Sequence, residues 1–200
     1  MYKIFGIFSI FFLASCATAP PSSPNNLCGI FDEYPRWYRA SVATEEKWGL
    51  LPEVGLSFIF RESSFQSDAK PPRYYFLGFI PWGRTSSAYG YAQITDQAWQ
   101  DYTDDTGSSW FKRRNDFEDA MDFIGWYNDR TNRVLGINKN DAYNLYLVYY
   151  EGLGGYRTGN WRTNEDVKRY AREVQERTAY YGEQLSSCRS SLKSYPWQIF

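Results

Sequence analysis

One apolar stripe near the end of the chain does most to limit what it can fold into. Val167, Ala171, Val174, Thr178, Tyr181 and Leu185 recur at steps of three and four, the spacing that lines side chains along one face of an α-helix. A face of that length needs a cover, so it predicts helix packed on helix. Thr163 with Asp166 approximates a capping box at its start. Upstream the same grammar repeats. Pro35 opens a helix running to about Trp48, and Gly49 suits its exit. Pro52 opens the next, which turns Val54, Phe58 and Ile59 toward a core and reaches Glu62. Thr95 can cap a short helix through Tyr102, and Asn115 a longer one whose Phe117, Met121 and Ile124 share a face, with Gly136 as its stop. Asn140 can cap a helix from Asp141 to Glu151, ended by Gly152.

Residues 66–92 break this pattern. Pro71-Pro72, Gly78, Pro81 and Gly83 punctuate a run of aromatics, which predicts a long irregular segment with room for a short hairpin. It is too aromatic for disorder, and an insertion of that kind is usually functional. No internal repeat is visible. The expectation is one mainly helical domain from about Cys28 to Cys188. At 43% apolar and 22% charged residues the chain has the composition of a folded protein.

The first residues read differently. Lys3 precedes an almost unbroken apolar run from Ile4 to Leu13, too short to span a bilayer as a helix, so residues 1–15 read as a cleaved secretory signal. Its end, Leu13-Ala14-Ser15-Cys16, resembles the bacterial lipobox. That resemblance implies that Cys16 is the lipidated first residue of the mature chain. It also implies that Ala17, standing where an Asp would retain the protein, directs it to the outer membrane, anchored by acyl chains and facing the periplasm. Residues 16–27 follow as a Pro/Ser-rich tether, unable to pack a core. Removing Cys16 leaves Cys28 and Cys188 in an oxidising compartment, where pairing is the expectation and two buried free thiols the alternative. Such a bridge would close nearly the whole domain, a constraint of roughly 5 kcal/mol in the chain-entropy picture. Residues 189–200 form a C-terminal tail.

The chain has no histidine. Ser-His-Asp and Cys-His nucleophiles are therefore excluded, and with them most catalytic zinc sites. With the cysteines otherwise engaged, no metal or cofactor is expected. A net charge of −1 and the absence of a basic run argue against nucleic acid as a partner. The chemistry falls to carboxylates, tyrosines, lysines and hydroxyls. An aromatic content of 20%, with 18 Tyr and 8 Trp, suits a groove that stacks on sugar faces as well as a core.

Three separated segments carry that chemistry. Phe58-Ile59-Phe60-Arg61-Glu62-Ser63-Ser64-Phe65 sets a carboxylate at the end of an apolar helix, where desolvation would raise its pKa toward that of a working acid. The others are Ala88-Tyr89-Gly90-Tyr91-Ala92-Gln93-Ile94-Thr95 and Tyr146-Leu147-Val148-Tyr149-Tyr150-Glu151-Gly152-Leu153-Gly154-Gly155-Tyr156. In identity and order they resemble the soluble-lytic-transglycosylase-like family, whose fold is related to goose-type lysozyme, over roughly Leu51 to Leu185. Glu62-Ser63 with Phe65 matches the family's Glu-Ser pair. Gly90, Gln93 and Ile94 match its Gly-Leu-Met-Gln-Ile turn, with Tyr91 and Ala92 as substitutes. Tyr149 and Gly152 match its Ala-Tyr-Asn-Ala-Gly segment, with Tyr150 and Glu151 as substitutes.

The resemblance implies an α-rich, lysozyme-like domain with a groove for peptidoglycan glycan strands. It implies that Glu62 is the catalytic acid and then base, that Ser63 hydrogen-bonds near Glu62 or the substrate acetamido group, that Gln93 contacts substrate, and that Tyr149 stands within hydrogen-bonding range of Glu62. Tyr91 and Glu151 join them as substrate-binding candidates. Two readings stand for Glu151: a second acid in the groove, or a partner for Arg157. Two also stand for the Tyr74-Tyr75-Phe76 and Phe79 to Trp82 clusters: a groove wall, or a packed cover. A bland reading of Glu62 pairs it with its neighbour Arg61. The rival functions are a hydrolytic muramidase on the same fold and a non-catalytic peptidoglycan-binding lipoprotein.

Overall fold

A computed structural model describes residues 18–108 and 110–192. The signal segment 1–15, the lipidation candidate Cys16 and residues 193–200 of the tail lie outside the described residues. The elements in order are α1 (Leu27–Glu33), α2 (Pro35–Trp48), α3 (Pro52–Ser63), β1 (Arg73–Phe76), β2 (Ile80–Arg84), α4 (Asp96–Thr106), α5 (Phe117–Leu135), α6 (Ala142–Thr158), a 3-10 turn (Asn160–Thr163) and α7 (Glu165–Leu192). The domain is mainly helical, with one small two-stranded sheet.

The helix boundaries follow local chemistry. Pro35 and Pro52 stand at the starts of α2 and α3, and Gly49 and Gly136 end α2 and α5 in the left-handed conformation. Thr95 caps α4 as its sequence position implies, and the helix runs on to Thr106. The caps of α5 and α6 sit one residue beyond those expected. Asp116, not Asn115, accepts from the Asp119 amide, and Asp141, not Asn140, accepts from the Asn144 amide. A carboxylate outcompetes an adjacent amide for these orphan N–H groups because it also complements the positive helix end. At α7 the side chain of Asn164 caps the Val167 amide at 3.2 Å, whereas the Thr163 hydroxyl donates to the Asn160 carbonyl. Gly152 breaks α6 as expected but does not end it. Its φ of 73° and ψ of 164° are open to glycine alone, and the helix resumes to Thr158.

The α7 stripe finds its cover in α3, α6 and α1. Val167, Ala171, Val174, Tyr181 and Leu185 are buried there against Val54, Phe58, Ile59 and Leu147 in one continuous core. α2 packs on α5 beside it. Gly125 on α5 lets them close, since a Cβ there would stand 2.5 Å from the ring of Trp48. Cys28 and Cys188 form a disulfide, with Cα atoms 6.1 Å apart, that joins α1 to α7. The chain before α1 also lies on α7: the Tyr181 hydroxyl donates to the Pro24 carbonyl, and Gln184 donates to the Asn25 carbonyl and accepts from the Leu27 amide.

A half-buried charge cluster locks the far side. Asp122 on α5 accepts from Lys47 at 2.9 Å, the Trp48 indole at 2.6 Å, Tyr102 at 2.5 Å and Lys112 at 2.6 Å. Burial alone would raise its carboxyl, but Lys112, Lys47, Tyr102 and Trp48 together hold it far below the usual carboxylate range.

Candidate active site

Glu62 occupies the last turn of α3. The helix buries Val54, Leu56, Phe58 and Ile59, which fixes its rotation and leaves Glu62 half-buried at the rim of the core. Ser64 (φ 50°) and Phe65 (φ 65°) then take two successive left-handed conformations without being glycine, a costly arrangement that turns the chain sharply away just after the carboxylate. Phe65 is fully buried and stacks on Trp37 at 5.7 Å, which holds that turn in place.

The partner of Glu62 comes from α6. The Tyr146 hydroxyl donates to Glu62 Oε1 at 2.8 Å. Burial pushes the Glu62 carboxyl up to about 7, against the opposing pull of the Tyr146 hydrogen bond and the Arg61 charge. The negative carbonyl end of α3 acts in the same direction as burial. Arg61 does not pair with Glu62. Its guanidinium lies 3.7 Å from the centre of the Tyr170 ring and 3.6 Å from Glu173.

Tyr149, one turn on from Tyr146, was expected at Glu62; instead it donates to the Ala92 carbonyl at 2.6 Å. Helical spacing explains the correction, since positions 146 and 149 share a face and Phe58 packs edge-on between both rings at 5.3 Å. The two phenols divide the work. Tyr146 reaches the acid, and Tyr149 ties α6 to the second segment.

That segment is a tight loop closed by a bridge between Tyr89 and Ile94. Gly90, at φ 80°, donates to the Ala69 carbonyl, and a Cβ there would lie 2.0 Å from the Arg114 carbonyl. Arg114 clamps the loop from outside, donating to the carbonyls of Ser87 at 3.0 Å and Ile94 at 2.8 Å. Gln93 has φ 47°, and its side-chain NH₂ donates to the carbonyls of Ala69 at 2.9 Å and Gly90 at 3.0 Å. The side chain is thereby oriented by backbone and lines a cleft of about 250 Å³ with Thr95, Tyr127, Tyr149, Tyr150 and Glu151. Glu151 thus faces the cleft, while Arg157 donates to the Val134 carbonyl instead.

Two expected site residues take other roles. Ser63 is buried, and its hydroxyl donates back to the Ile59 carbonyl at 3.2 Å rather than toward Glu62, the usual recourse of a serine inside a helix. Tyr91 is also buried, edge-on to Trp37 at 5.7 Å and to Phe117 at 5.6 Å, so it belongs to the core. A tyrosine where the family has leucine keeps the apolar body and adds only a hydroxyl.

The three segments therefore meet in space through Glu62, Tyr146, Tyr149 and Ala92. A family model described as Transglycosylase SLT domain matches residues 4–188. The chain belongs to this family. A comparison with curated proteins finds no match. Membership in the SLT family brings with it, in general terms, the activity of a peptidoglycan lytic transglycosylase and a glycan-strand substrate. Within this SLT domain, Tyr146 is the residue that sequence reasoning passed over. It stood in the third segment without a role, and its signal was its position one helical turn before Tyr149.

Proposed function

We propose that the protein cleaves the bond between N-acetylmuramic acid and N-acetylglucosamine in peptidoglycan, with Glu62 acting first as acid and then as base. The supporting observation is a half-buried carboxyl, raised to about 7 and hydrogen-bonded by Tyr146, at the meeting point of the three segments. A carboxyl of that pKa holds its proton in a useful fraction of molecules at neutral pH and can take one back. Protonated Glu62 gives its proton to the glycosidic oxygen as the bond to the muramoyl anomeric carbon breaks. The carboxylate so formed removes the proton from the muramoyl 6-hydroxyl, whose oxygen closes on that carbon. The product carries a 1,6-anhydro ring, no water is consumed, and Glu62 ends protonated as it began. A single carboxyl suffices, where most glycoside hydrolases use two.

Gln93, Tyr149 and Glu151 are assigned to the cleft wall that receives the sugar chain. Glu151 also keeps a hydrolytic reading alive, because a cleft carboxylate can activate water. Lipidation at Cys16 would hold the enzyme in the cell envelope, at the outer membrane facing the periplasm. The decisive experiment is digestion of purified sacculi with mass analysis of the ends. The expected new ends are lighter than hydrolysed ends by one water, and hydrolysed ends would overturn the lyase assignment. Glu62→Gln should lower turnover at least ~100-fold while binding to sacculi persists. Equal activity in the variant would remove Glu62 from the mechanism, and inactivity of the wild type would leave a binding lipoprotein.

A further inference from the structure

The hairpin β1–β2 is a surface that the proposed chemistry does not use. Its register pairs Arg73 with Arg84 at the open end, Tyr74 with Gly83, Tyr75 with Pro81 and Phe76 with Ile80, and Trp82 stands at a bulge. The strands join through Leu77 and Gly78, both with positive φ, a tight turn that makes Leu77 and Phe79 the tip. Hydrophobic side chains here are turned outward: Leu77 is 69% exposed, Phe79 72% and Trp82 75%. Adjacent Tyr74 and Tyr75 are both more than half exposed, and successive strand residues point to opposite faces. Among the described residues, then, both faces of the hairpin keep large aromatic area open to solvent. The packed-cover reading of these aromatics is thereby corrected.

The order of side chains from tip to base is chemically graded. Leu77 and Phe79 come first, Tyr74, Tyr75, Ile80 and Trp82 follow, and Arg73 and Arg84 close the base, about 13 Å from the tip at the usual rise per residue. Lys70 lies just behind. From Ala69 to Thr95 there are these three cations and no carboxylate, in a chain whose net charge is −1. A sugar or protein partner docks against one face of a two-stranded ribbon. A bilayer surrounds it, and its layers match this grading: hydrocarbon for the tip, the interface for Tyr and Trp, phosphate for Arg. Arginines at the base would gain most from anionic headgroups. Among the described residues no helix is long and apolar enough to cross a membrane.

We propose that the β1–β2 hairpin is a membrane-docking element that inserts its tip into the surface of an anionic lipid bilayer. Such docking is a different interaction from lipidation at Cys16 and takes no part in the chemistry at Glu62. Docking here would fix the orientation of the domain on the membrane, which a lipid on a proline-containing tether does not do.

The test uses the full-length chain and vesicles containing about one third anionic phosphatidylglycerol, with bromine on the acyl chains. The contribution of Trp82 to the fluorescence is read as the difference between wild type and Trp82→Phe, a conservative change at an exposed position. The expected result is a blue-shifted Trp82 signal, quenched by bromolipid and shielded from aqueous iodide. Phe79→Ser should weaken that quenching at least about tenfold in lipid concentration, and the double variant Arg73→Glu/Arg84→Glu should weaken it in anionic vesicles more than in zwitterionic ones. Because the probe sits in the hairpin, acyl chains elsewhere on the protein cannot imitate the result. A Trp82 signal still open to iodide and indifferent to bromolipid overturns the proposal. So does a signal that shifts with soluble glycan fragments and not with vesicles, which would make the hairpin a groove wall. Digestion of sacculi is scored separately, so either assignment can fail alone.

Discussion

The hydroxyl of Tyr146 lies 2.8 Å from Oε1 of Glu62 and donates to it, so the candidate acid is held by a different helix from the one that carries it. A neutral donor on a carboxylate favours the charged form. Removing it with Tyr146→Phe therefore raises the Glu62 pKa above its value of about 7. The alkaline limb of kcat/KM on sacculi should move to higher pH, with lower activity at the optimum as Glu62 loses its orientation. An unmoved limb would detach Tyr146 from the protonation of Glu62.

The same residue links activity to stability. Glu62 has a folded pKa of about 7 against an ordinary 4.5, so between these values the folded chain binds more protons than the unfolded one. Its stability contribution is fully present below about 4.5, falls as pH rises through 7 and is level above that. The ceiling on the loss is about 3 kcal/mol. Glu62→Gln removes the buried charge, so thermal unfolding at pH 8 should occur about 4 °C or more above wild type, with the gap shrinking toward pH 5. A gap that ignores pH would contradict the burial of this carboxyl.

Gly90→Ala tests the second segment. The added Cβ meets a backbone carbonyl at 2.0 Å and must also accept φ 80°. Neither can relax cheaply, so denaturant unfolding should show a loss of about 2–4 kcal/mol. Where the variant still folds, activity should fall further than stability requires, because Gln93 donates to the Gly90 carbonyl.

Cys188→Ser opens a bridge between positions 160 apart. Loss of about 2–5 kcal/mol is expected, seen as a lower midpoint in denaturant. Wild type in reductant should follow the variant, and identical stability with and without reductant would leave the bridge without a role.

Much of this architecture was legible in the sequence. Stripes such as Val167 to Leu185 and stops such as Gly49 and Gly136 act within one or two helical turns, so they read directly. Glu62 was legible for a related reason, since an apolar helix ending in a carboxylate predicts a desolvated acid. What escaped depends on competition or on three dimensions. Asp116 and Asp141 displaced their asparagine neighbours as caps by a difference in charge. Tyr146 and Tyr149 sit on one helical face, and only the distance between α3 and α6 decides which reaches the acid. Ser63 and Tyr91 matched a motif by position and were claimed by a helix carbonyl and by the core. Asp122 gave no local sign at all, because its partners come from α2, α4 and the loop before α5.

The bridge between α1 and α7 has a mechanical side. If the protein is fastened at its N-terminal end and grips a glycan strand at its cleft, any pull between the two meets first the segment that Tyr181 and Gln184 hold on α7 and then α1, a helix of only seven residues. The sulfur link passes that load directly to the long α7, which lies across α3 and α6. Tension is thus shared by the helices that hold Glu62 and Tyr146, and the fold resists being unravelled from its leash.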